Sequence, residues 1–342
     1  MAGLVKNTVT RMHRASAPTA IDADLESLWT DVARETPVAR ACMANLVVFC
    51  EHRRGERVDF EAALTTVPLD EVVRRHPSRV VILHHSPRGT DAAAPIAAAV
   101  SVVTFGAESA RYGVEEIALR SACAEASLPS IVRSLTRGDV PTSVWWTEDL
   151  SRTPPVDALL TMARQLVYDS RAWRDVRLGV RALAPCIEGR IVVDLADVNW
   201  RRLTAMRHAL AHAAESVGAA GFRSDEIRIT HRPGDGALAW LLAGWLASRL
   251  RNSGHGGFPV RVEERRRGDE VLELKIASRE EALTATMTPQ RVSVVMTGGA
   301  PPFHLAVRRE SDADAIAEEL TSLAADNALL DALAALSHHF AE

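Results

Sequence analysis

After Val114 the sequence alternates between two kinds of segment, and this alternation limits the folds open to the chain more than any other feature. Short apolar segments at residues 141 to 147 and 166 to 168 are typical of buried strands, and segments with helical spacing follow them. Strands that alternate with helices form a largely parallel or mixed sheet with helices on both faces. The first part of the chain is therefore predicted to be an α/β domain.

Beyond residue 264 the alternation ends. Four strand-like segments follow one another across short turns, which is the pattern of an antiparallel meander. Pro185 and Gly189 favour a boundary between the two patterns. The sequence therefore predicts a flexible N-terminal segment over residues 1 to 20, an α/β domain with a mixed, largely parallel sheet over residues 21 to 187, and an α+β domain with an antiparallel meander over residues 188 to 342.

The charge balance argues against nucleic acid as a partner. The chain has 342 residues, of which 25% are charged, and its formal net charge is −4. Nucleic-acid-binding proteins usually carry a clustered basic surplus instead. Lys6 and Lys275 are the only lysines, and this preference for arginine, which is typical of a genome rich in G and C, supplies many bidentate hydrogen-bond donors.

Two features predict a cytoplasmic protein that does not enter a membrane. Residues 1 to 20 lack the apolar segment of a secretory signal, and the apolar stretch at residues 237 to 248 is about half as long as a bilayer-spanning helix. None of the four cysteines forms a Cys-x-x-Cys pair, and Cys42 and Cys50 are expected too far apart on one strand to form a disulfide. Reduced thiols are typical of the cytoplasm.

A glycine-rich loop offers a candidate nucleotide site. Gly234 and Gly236, with Ala239, fit the G-x-G-x-x-A spacing between an apolar strand and a helix, and Glu263 ends the next strand. However, a meander follows where a dinucleotide fold needs further strand-helix crossovers, and Pro233 removes one amide from the loop. A plain tight turn is therefore favoured, and a dinucleotide site is the alternative.

A histidine pair offers a candidate metal site. His208 and His212 lie one helical turn apart with Glu215 three residues further on, a spacing that three zinc ligands can have. Leu203 and Met206 mark the buried stripe of the same helix, so the histidines face away from it. A solvated polar face is favoured, and no metal is expected.

Two other pairs of residues each have two interpretations. Asp169 and Arg171 follow a buried strand, where ligands gather in open α/β sheets, but they can equally form a local ion pair that caps the next helix. Trp146 follows Trp145 on a strand that is expected at the centre of the sheet. Core packing is favoured for both tryptophans, and an anchor for a partner protein is the alternative for one of them.

Residues 192 to 207 read VVDLADVNWRRLTAMR. This segment resembles the Asp-Leu-(x)-Asn-Trp-x-Arg-Leu element of the glucose-6-phosphate dehydrogenase assembly proteins, the OpcA family, with Ala196 and Asp197 inserted. Further segments between residues 40 and 250 resemble that family in the same order. They are His76-Pro77-Ser78-Arg79, Asp139-Val140-Pro141 before Trp145-Trp146, Val167-Tyr168-Asp169-Ser170, and Gly244-Trp245-Leu246-Ala247-Ser248-Arg249-Leu250.

The resemblance implies a two-domain cytoplasmic bacterial protein of the pentose phosphate pathway. Such a protein binds glucose-6-phosphate dehydrogenase and acts as an allosteric activator that favours its active oligomer, without a cofactor and without being an enzyme. We expect a partner-binding surface because arginine and tryptophan are common interface anchors. Its expected residues are Trp200, Arg201, Arg202, Asp169, Arg171 and Trp146.

Alternatives remain for these assignments. Trp200 can instead pack into the core of its own chain, and Asn199 is expected to be only the N-cap of the following helix. A rival function from another class is a nucleotide- or sugar-phosphate-binding enzyme or sensor. That function would use Gly234 and Gly236 for the phosphates and Glu263 for the ribose.

Overall fold

The computed structural model describes residues 9–51, 68–86, 96–107, 110–217, 226–251, 260–265, 269–277, 282–297, 301–322 and 324–341. Within these ranges the chain forms two β-sheets and the helices that cover them. The first eight residues of the predicted flexible segment lie outside the described part of the chain.

The first sheet contains the first nine strands of the described chain. They are β1 (Thr10–Ser16), β2 (Ala39–Arg40), β3 (Ala44–Glu51), β4 (Ser78–His85), β5 (Ile96–Phe105), β6 (Tyr112–Ser121), β7 (Thr142–Trp146), β8 (Gln165–Tyr168) and β9 (Asp194–Asp197). The strand order is β1-β5-β6-β4-β3-β7-β8-β9, and β2 pairs with β6. All neighbours from β6 to β9 are parallel, whereas β1 and β5 run antiparallel to their neighbours. The predicted mixed, largely parallel sheet is confirmed.

The helices of the first part are mostly short. They are α1 (Ile21–Glu35), α2 (Leu69–Arg75), α3 (Leu128–Leu135), α4 (Asp157–Leu160), α5 (Val176–Ala182), α6 (Ala184–Ile187) and α7 (Val198–Arg201). The sheet is covered on both faces, and every residue of β4 is buried. This double burial explains why the strands read as continuous apolar runs in the sequence.

The second sheet contains the other strands of the described chain. They are β10 (Glu226–His231), β11 (Val260–Glu264), β12 (Leu272–Ala277), β13 (Ala282–Met287), β14 (Arg291–Met296) and β15 (Phe303–Ala306). Its order is β11-β10-β12-β13-β14-β15, and only the β10–β11 pair is parallel. The run from β12 to β15 is the predicted antiparallel meander. Buried residues alternate with more accessible ones along these strands, so one face of the sheet carries the core.

Four longer helices complete the second part. They are α8 (Thr204–Val217), α9 (Gly236–Arg251), α10 (Asp312–Thr321) and α11 (Asn327–Ala341). Helices α9 and α11 pack against each other at Gly244, where an added Cβ would lie 2.5 Å from the carbonyl oxygen of Ala332. Helix α10 packs instead against α2, beside the first sheet.

Four sequence-based expectations were wrong in detail. Residues 10 to 16 were expected to be loose, but they form β1, which pairs with β5 along its whole length at the sheet edge. Pro154 and Pro155 predict the start of a helix that runs to residue 165, but the structure has only α4 there. The apolar run at residues 191 to 195 predicts a strand, but the strand is β9, which ends at Asp197. The long helix expected from Asn199 is divided into α7 and α8 by a turn at Arg202 and Leu203.

One hydrophobic core extends across both sheets. It contains Val47 and Leu166 of the first sheet together with Ile227 and Leu274 of the second. A second cluster on the other face of the first sheet includes Val72 of α2 and Ile316 of α10, so the end of the chain contributes to the first sheet. The division into domains at residue 187 stays a prediction.

Candidate functional site

The corner between β9 and α7 is organised by a buried aspartate. Oδ1 of Asp197 accepts hydrogen bonds from the backbone N–H of Asn199 at 2.9 Å and from that of Ser170 at 3.0 Å. Asp197 therefore caps α7, and the prediction that Asn199 is the cap was wrong. The side chain of Asn199 instead donates to Ser170 Oγ and accepts from Arg202. Strand β8 and the start of α7 are thus joined through side chains.

The carboxyl group of Asp197 is unusual because no cation of the described chain forms an ion pair with it. Its Oδ2 atom is buried and has no hydrogen-bond partner among the described residues. Burial raises the pKa of Asp197 to about 7, while hydrogen bonds from Ser170 and Asn199 oppose the rise. Across the strand pair, Tyr168 is also fully buried, and burial together with the nearby Asp197 raises the pKa of its hydroxyl. The corner therefore favours a neutral carboxyl group.

Trp200 lies inside the protein. Its side chain is 3% exposed, its Nε1 donates to Asp326 Oδ2 at 2.7 Å, and the guanidinium of Arg207 lies 4.0 Å from the ring centroid. The other oxygen of Asp326 accepts from the backbone N–H of Leu329 in the first turn of α11. Trp200 therefore packs into the core of its own chain and connects α7 to α11.

Arg201 pairs with two glutamates from the last part of the chain. Its Nη2 and Nε donate to Glu310 at 2.8 and 3.1 Å, and its Nη1 donates to Glu319 at 2.9 Å. Burial raises the pKa of Glu319, and Arg201 counteracts this rise. The charge of Arg201 is therefore balanced within the chain. Its ion pairs connect α7 to Glu310, just before α10, and to Glu319, within α10.

Arg202 and Arg232 share a single carboxylate. Arg202 donates to Asp235 Oδ1 at 3.0 Å, and Arg232 donates to Asp235 Oδ2 at 2.5 Å. The side chain of Asp235 is only 7% exposed. Two cations thus face one anion, which leaves one positive charge in excess at this place.

Asp169 and Arg171 form the local pair that was one of the two sequence-based interpretations. The Asp169 side chain accepts from the backbone N–H of Arg171 and from its guanidinium, and it caps the short turn Ser170–Ala172. Arg171 also donates to Asp312 at 2.8 Å, at the start of α10. These side chains are about one third exposed, so they lie at the surface.

Arg171, Arg201, Arg202 and Arg232 line a single cleft between the first sheet and the edge of the second. Its volume is about 600 Å³. Its lining combines apolar side chains of both parts with charged groups. The charged and histidine residues of the lining are Arg171, Arg201, Arg202, His208, Arg232, Arg308, Arg309, Glu310 and Asp312. Of the sequence-based candidates, Arg171, Arg201 and Arg202 are therefore brought together here, and Asp169 pairs with Arg171.

Trp146 is not part of the cleft. It lies at the end of β7, 1% exposed, stacked on Phe49 with the ring centroids 3.8 Å apart, and its Nε1 donates to the carbonyl oxygen of Thr153. Trp145 is buried on the opposite face of the sheet. Core packing of both tryptophans, the favoured interpretation, is confirmed. Trp146 and His85 border a second cavity at the carboxyl ends of β3, β4 and β7.

The Gly234 loop lies between a strand and a helix, as expected, but the loop also contains the carboxylate of Asp235. Gly234 has a φ of +89° and leads into α9 at Gly236, and α9 connects the parallel strands β10 and β11. Glu263 lies near the end of β11, opposite Thr230 of β10. However, the buried carboxylate of Asp235 lies at the start of α9, where a dinucleotide fold would place the pyrophosphate. The βαβ unit is followed by the meander, so the dinucleotide interpretation gains no further strand-helix crossover.

The three candidate metal ligands of α8 face away from the core, as predicted. His208, His212 and Glu215 are exposed, whereas Leu203 and Met206 are fully buried. No group of three or more His, Cys, Asp or Glu side chains among the described residues is arranged to hold a metal ion. His208 lies on the wall of the cleft, and His212 contacts the ring of Phe303.

Sequence reasoning missed the partners that the last part of the chain supplies to the cleft. Glu310, Glu319 and Asp326 each bind a side chain of α7, more than one hundred residues earlier in the sequence. Arg308 and Arg309 complete the lining. The only local signal was the charge run at residues 308 to 312, which has no periodicity that points to a distant partner.

Two models of one protein family match this chain in succession. The model for the N-terminal domain of the glucose-6-phosphate dehydrogenase subunit matches residues 69–184. The model for the C-terminal domain of the same subunit matches residues 193–333. The point between the two matches falls just before β9.

Two curated relatives carry the name putative OxPP cycle protein OpcA. The one from Nostoc punctiforme is 28% identical over 189 residues, which cover 53% of this chain and 39% of the relative. The one from Synechococcus elongatus is 26% identical over 190 residues, which cover 52% of this chain and 41% of the relative. The matched segment thus spans about two fifths of the length of each relative.

Solved structures with a similar arrangement are distant. A 3-ketoreductase from Actinomadura kijaniata in complex with NADP and TDP-benzene has a TM-score of 0.44 at 13% identity, with coverage of 87% of this chain and 96% of that protein. An oxidoreductase from Thermotoga maritima has a TM-score of 0.43 at 11% identity, with coverage of 88% and 96%. These TM-scores are too low for a functional argument. Within the described residues, no helix combines the length and the apolar character that crossing a membrane requires.

Proposed function

Because the chain belongs to the OpcA family of glucose-6-phosphate dehydrogenase assembly proteins, we propose that it binds glucose-6-phosphate dehydrogenase and favours the active oligomer of that enzyme. The observation that carries the proposal is the succession of the two family domains over residues 69–184 and 193–333. In this proposal the chain is a cytoplasmic allosteric activator in the oxidative pentose phosphate pathway. It performs no reaction itself and needs no cofactor.

The proposed mechanism is a difference in binding affinity. A protein that binds one assembly state of an enzyme more tightly than another shifts the enzyme toward the first state. The shift cannot exceed the difference between the two binding free energies. A rigid binding surface supports this mechanism, because a surface that must first become ordered spends part of its binding free energy on ordering.

The ion pairs around the cleft support such rigidity. Trp200 and Arg201 are bound to Asp326, Glu310 and Glu319, which come from the far end of the chain. In the proposal Trp200 and Arg201 hold the surface in shape and do not anchor the partner directly. This role is compatible with the low exposure of Trp200 and with the two glutamates that bind Arg201. Trp146 packs in the core away from the cleft and is not part of this surface.

Asp169, Arg171 and Arg202 are the predicted partner-binding residues that remain accessible, with side chains 28%, 35% and 29% exposed. Arg171 and Arg202 line the cleft, and Asp169 pairs with Arg171. We therefore assign them to the proposed contact with the dehydrogenase. An exposed arginine at an interface can add a charge-assisted, bidentate hydrogen bond to a carboxylate of the partner.

The proposal is tested by mixing the purified chain with the dehydrogenase of the same organism. Complex formation is followed by size-exclusion chromatography with light scattering, and enzyme activity is measured against glucose 6-phosphate concentration. We expect a stable complex, a shift of the dehydrogenase toward a larger assembly, and a change in KM or kcat. A dehydrogenase whose assembly state and kinetics are both unchanged would contradict the proposal, as would turnover of the substrate by the chain alone.

The assignment of Arg171 is tested with a matched pair of variants. Arg171→Ala is expected to weaken the complex by about tenfold, the loss of one good interfacial contact. Arg190→Ala is the control, because Arg190 is exposed and pairs with the nearby Glu188 but lies outside the cleft. Equal affinities for the two variants, with both folded by circular dichroism, would reject this surface while leaving the proposed function intact.

A further inference from the structure

The arginines of the cleft differ in how many of their hydrogen-bond donors are used. Arg201 donates through Nε, Nη1 and Nη2 to its two glutamates. Arg309, by contrast, makes no hydrogen bond or ion pair with any described residue, although it lines the same cleft. Arg308 contacts Glu310 and Glu318 only at 3.9 and 3.6 Å, which is beyond good hydrogen-bond distance. The part of the lining at residues 308 and 309 therefore offers unused donors.

The wall formed by Arg202 and Arg232 offers further donors. Arg232 donates to Asp235 through Nε alone. Arg202 donates to Asn199 and Asp235 through its two Nη groups alone. Because the two guanidinium groups share one carboxylate, this wall keeps one uncompensated positive charge. Together with Arg309 the local excess is two positive charges, held on a folded framework and facing an open volume.

The carboxylates at the cleft gather around two other arginines. Arg171 is bound by both Asp169 and Asp312, and Arg201 by both Glu310 and Glu319, so carboxylates outnumber these two cations. Carboxylate oxygens with spare lone pairs accept hydrogen bonds from hydroxyl groups. A cleft that offers both unused cationic donors and carboxylate acceptors matches a ligand with an anionic end and a hydroxylated end.

The size and the apolar lining of the cleft fit a small molecule. A volume of about 600 Å³ lies within the usual range for pockets that bind metabolites. The apolar lining includes Val271, Met287 and Leu305, and apolar surroundings strengthen charged contacts. The cleft also lies between two parts of the chain, a common position for ligand sites.

We propose that this cleft binds a small hydroxylated molecule that carries a phosphate group, with Arg202, Arg232 and Arg309 on the phosphate and the Glu310–Asp312 side on the hydroxyl groups. Guanidinium groups match phosphate geometry through two parallel hydrogen bonds, so arginine suits this task better than lysine does. The donors are side chains of the cleft and not the amides of the Gly234 loop. The inference does not rest on the proposed function, because it concerns the chain alone.

Calorimetric titration of the full chain tests the proposal without any dehydrogenase present. The probes are glucose 6-phosphate, glucose and inorganic phosphate, at moderate and at high salt. We expect saturable binding of the sugar phosphate, weaker binding of phosphate and no binding of glucose. An absence of sugar phosphate binding at millimolar concentration would overturn the proposal, and so would glucose binding as tightly as its phosphate.

Arg309→Gln and Arg232→Gln locate the site. Arg309 has no side-chain contact of this kind within the described chain, so its variant is expected to fold normally and to bind the sugar phosphate about tenfold more weakly. Arg232→Gln leaves Asp235 with Arg202 and is expected to act in the same direction. Arg133→Gln is the control, because Arg133 is exposed on α3 outside the cleft. Equal affinities for all three variants would overturn the assignment.

A competition experiment separates a small ligand from an acidic protein segment. Polyglutamate of peptide length is added to the complex with the sugar phosphate. We expect little displacement at equal charge concentration, because a peptide does not present a phosphate to the arginines. Displacement by polyglutamate at lower concentration than by the sugar phosphate itself would overturn the proposal in favour of a protein partner.

Discussion

Asp197 shows how a single carboxyl group makes the stability of this protein depend on pH. The group is fully buried, it holds two backbone amides, and its pKa is raised to about 7 because burial disfavours the charge. Below about pH 4 the carboxyl group is protonated in both the folded and the unfolded chain. As the pH rises from there to about 7, the unfolded chain loses the proton while the folded chain keeps it, so this group lowers the free energy of unfolding.

We therefore predict that Asp197→Asn removes a pH-dependent loss of stability. The amide cannot ionise, and its oxygen still accepts from Ser170 and Asn199. The free energy of unfolding of the wild type, relative to that of the variant, is expected to fall by a few kcal/mol between about pH 4 and pH 7 and to level off above. Urea denaturation at several pH values measures it.

The control for this prediction is Asp194→Asn at the start of the same strand. Asp194 is partly exposed and pairs with Arg164, so its variant is expected to keep the wild-type pH dependence between about pH 5 and pH 7. A constant difference between wild type and Asp197→Asn over this range would show that the carboxyl group of Asp197 is ionised in the fold, against the prediction.

Local sequence was enough to predict that the two adjacent tryptophans are buried, but it did not predict which residue caps α7. Adjacent tryptophans on a buried strand must point to opposite faces, which placed Trp145 and Trp146 correctly. Asp197 and Asn199 are both good cap formers, however, and the choice depends on where β9 ends. Because the strand continues to Asp197 for its pairing with β8, the aspartate takes the cap position.

At the scale of elements, the crossing of α9 and α11 depends on Gly244. A Cβ at this position would lie 2.5 Å from the Ala332 carbonyl oxygen and 2.7 Å from Leu336 Cγ, and backbone cannot yield cheaply. Gly244→Ala is therefore expected to lower the free energy of unfolding by about 1–3 kcal/mol, the usual cost of overpacking, despite the better helix propensity of alanine. Thermal and urea denaturation measure the change.

Gly138→Ala is the matched substitution for Gly244→Ala. An added Cβ at Gly138 meets nothing within 4 Å, and the residue does not have a positive φ. This variant is expected to be neutral or more stable by about 0.5 kcal/mol, because the unfolded chain loses freedom. If Gly244→Ala proved as stable as Gly138→Ala, the two helices would have to be less closely packed than described.

Elements with a strong hydrophobic pattern were predicted from the sequence, whereas the strand at the edge of the first sheet was not. Strand β5 follows from its apolar run and the meander strands from their apolar alternation, but β1 is a polar edge strand whose side chains are mostly exposed. Its hydrogen bonds to β5 create the strand, and no sequence period announces them. The turn at Arg202 and Leu203 is similarly set by tertiary packing, since its residues have ordinary helix propensities.

At the scale of the whole molecule, the continuous core predicts one unfolding transition. Side chains from both sheets belong to the same hydrophobic cluster, and α10 completes the far face of the first sheet. We expect tryptophan fluorescence and far-ultraviolet circular dichroism to give the same urea midpoint. Two separated transitions would show that residues 21 to 187 and 188 to 342 unfold independently.

The fold class was predictable from the sequence because it depends on local periods, whereas the cleft was not. Its ion pairs join residues far apart in sequence, for example Arg201 with Glu310. Charge alone does not say which arginine meets which glutamate, since many pairings have similar Coulomb energies in water. The family motif pointed to residues 192 to 207, but the partners of Trp200 and Arg201 could be read only from the three-dimensional arrangement.

The position of α10 has a consequence for biosynthesis. Its residues Ala313, Ile316 and Leu320 cover strands that the ribosome makes more than one hundred residues earlier. Those strands therefore emerge with one apolar face uncovered, and it stays uncovered until α10 has left the exit tunnel. Nascent chains of this kind expose aggregation-prone apolar surface for that time. We therefore expect a ribosome-associated chaperone to bind this face of the sheet.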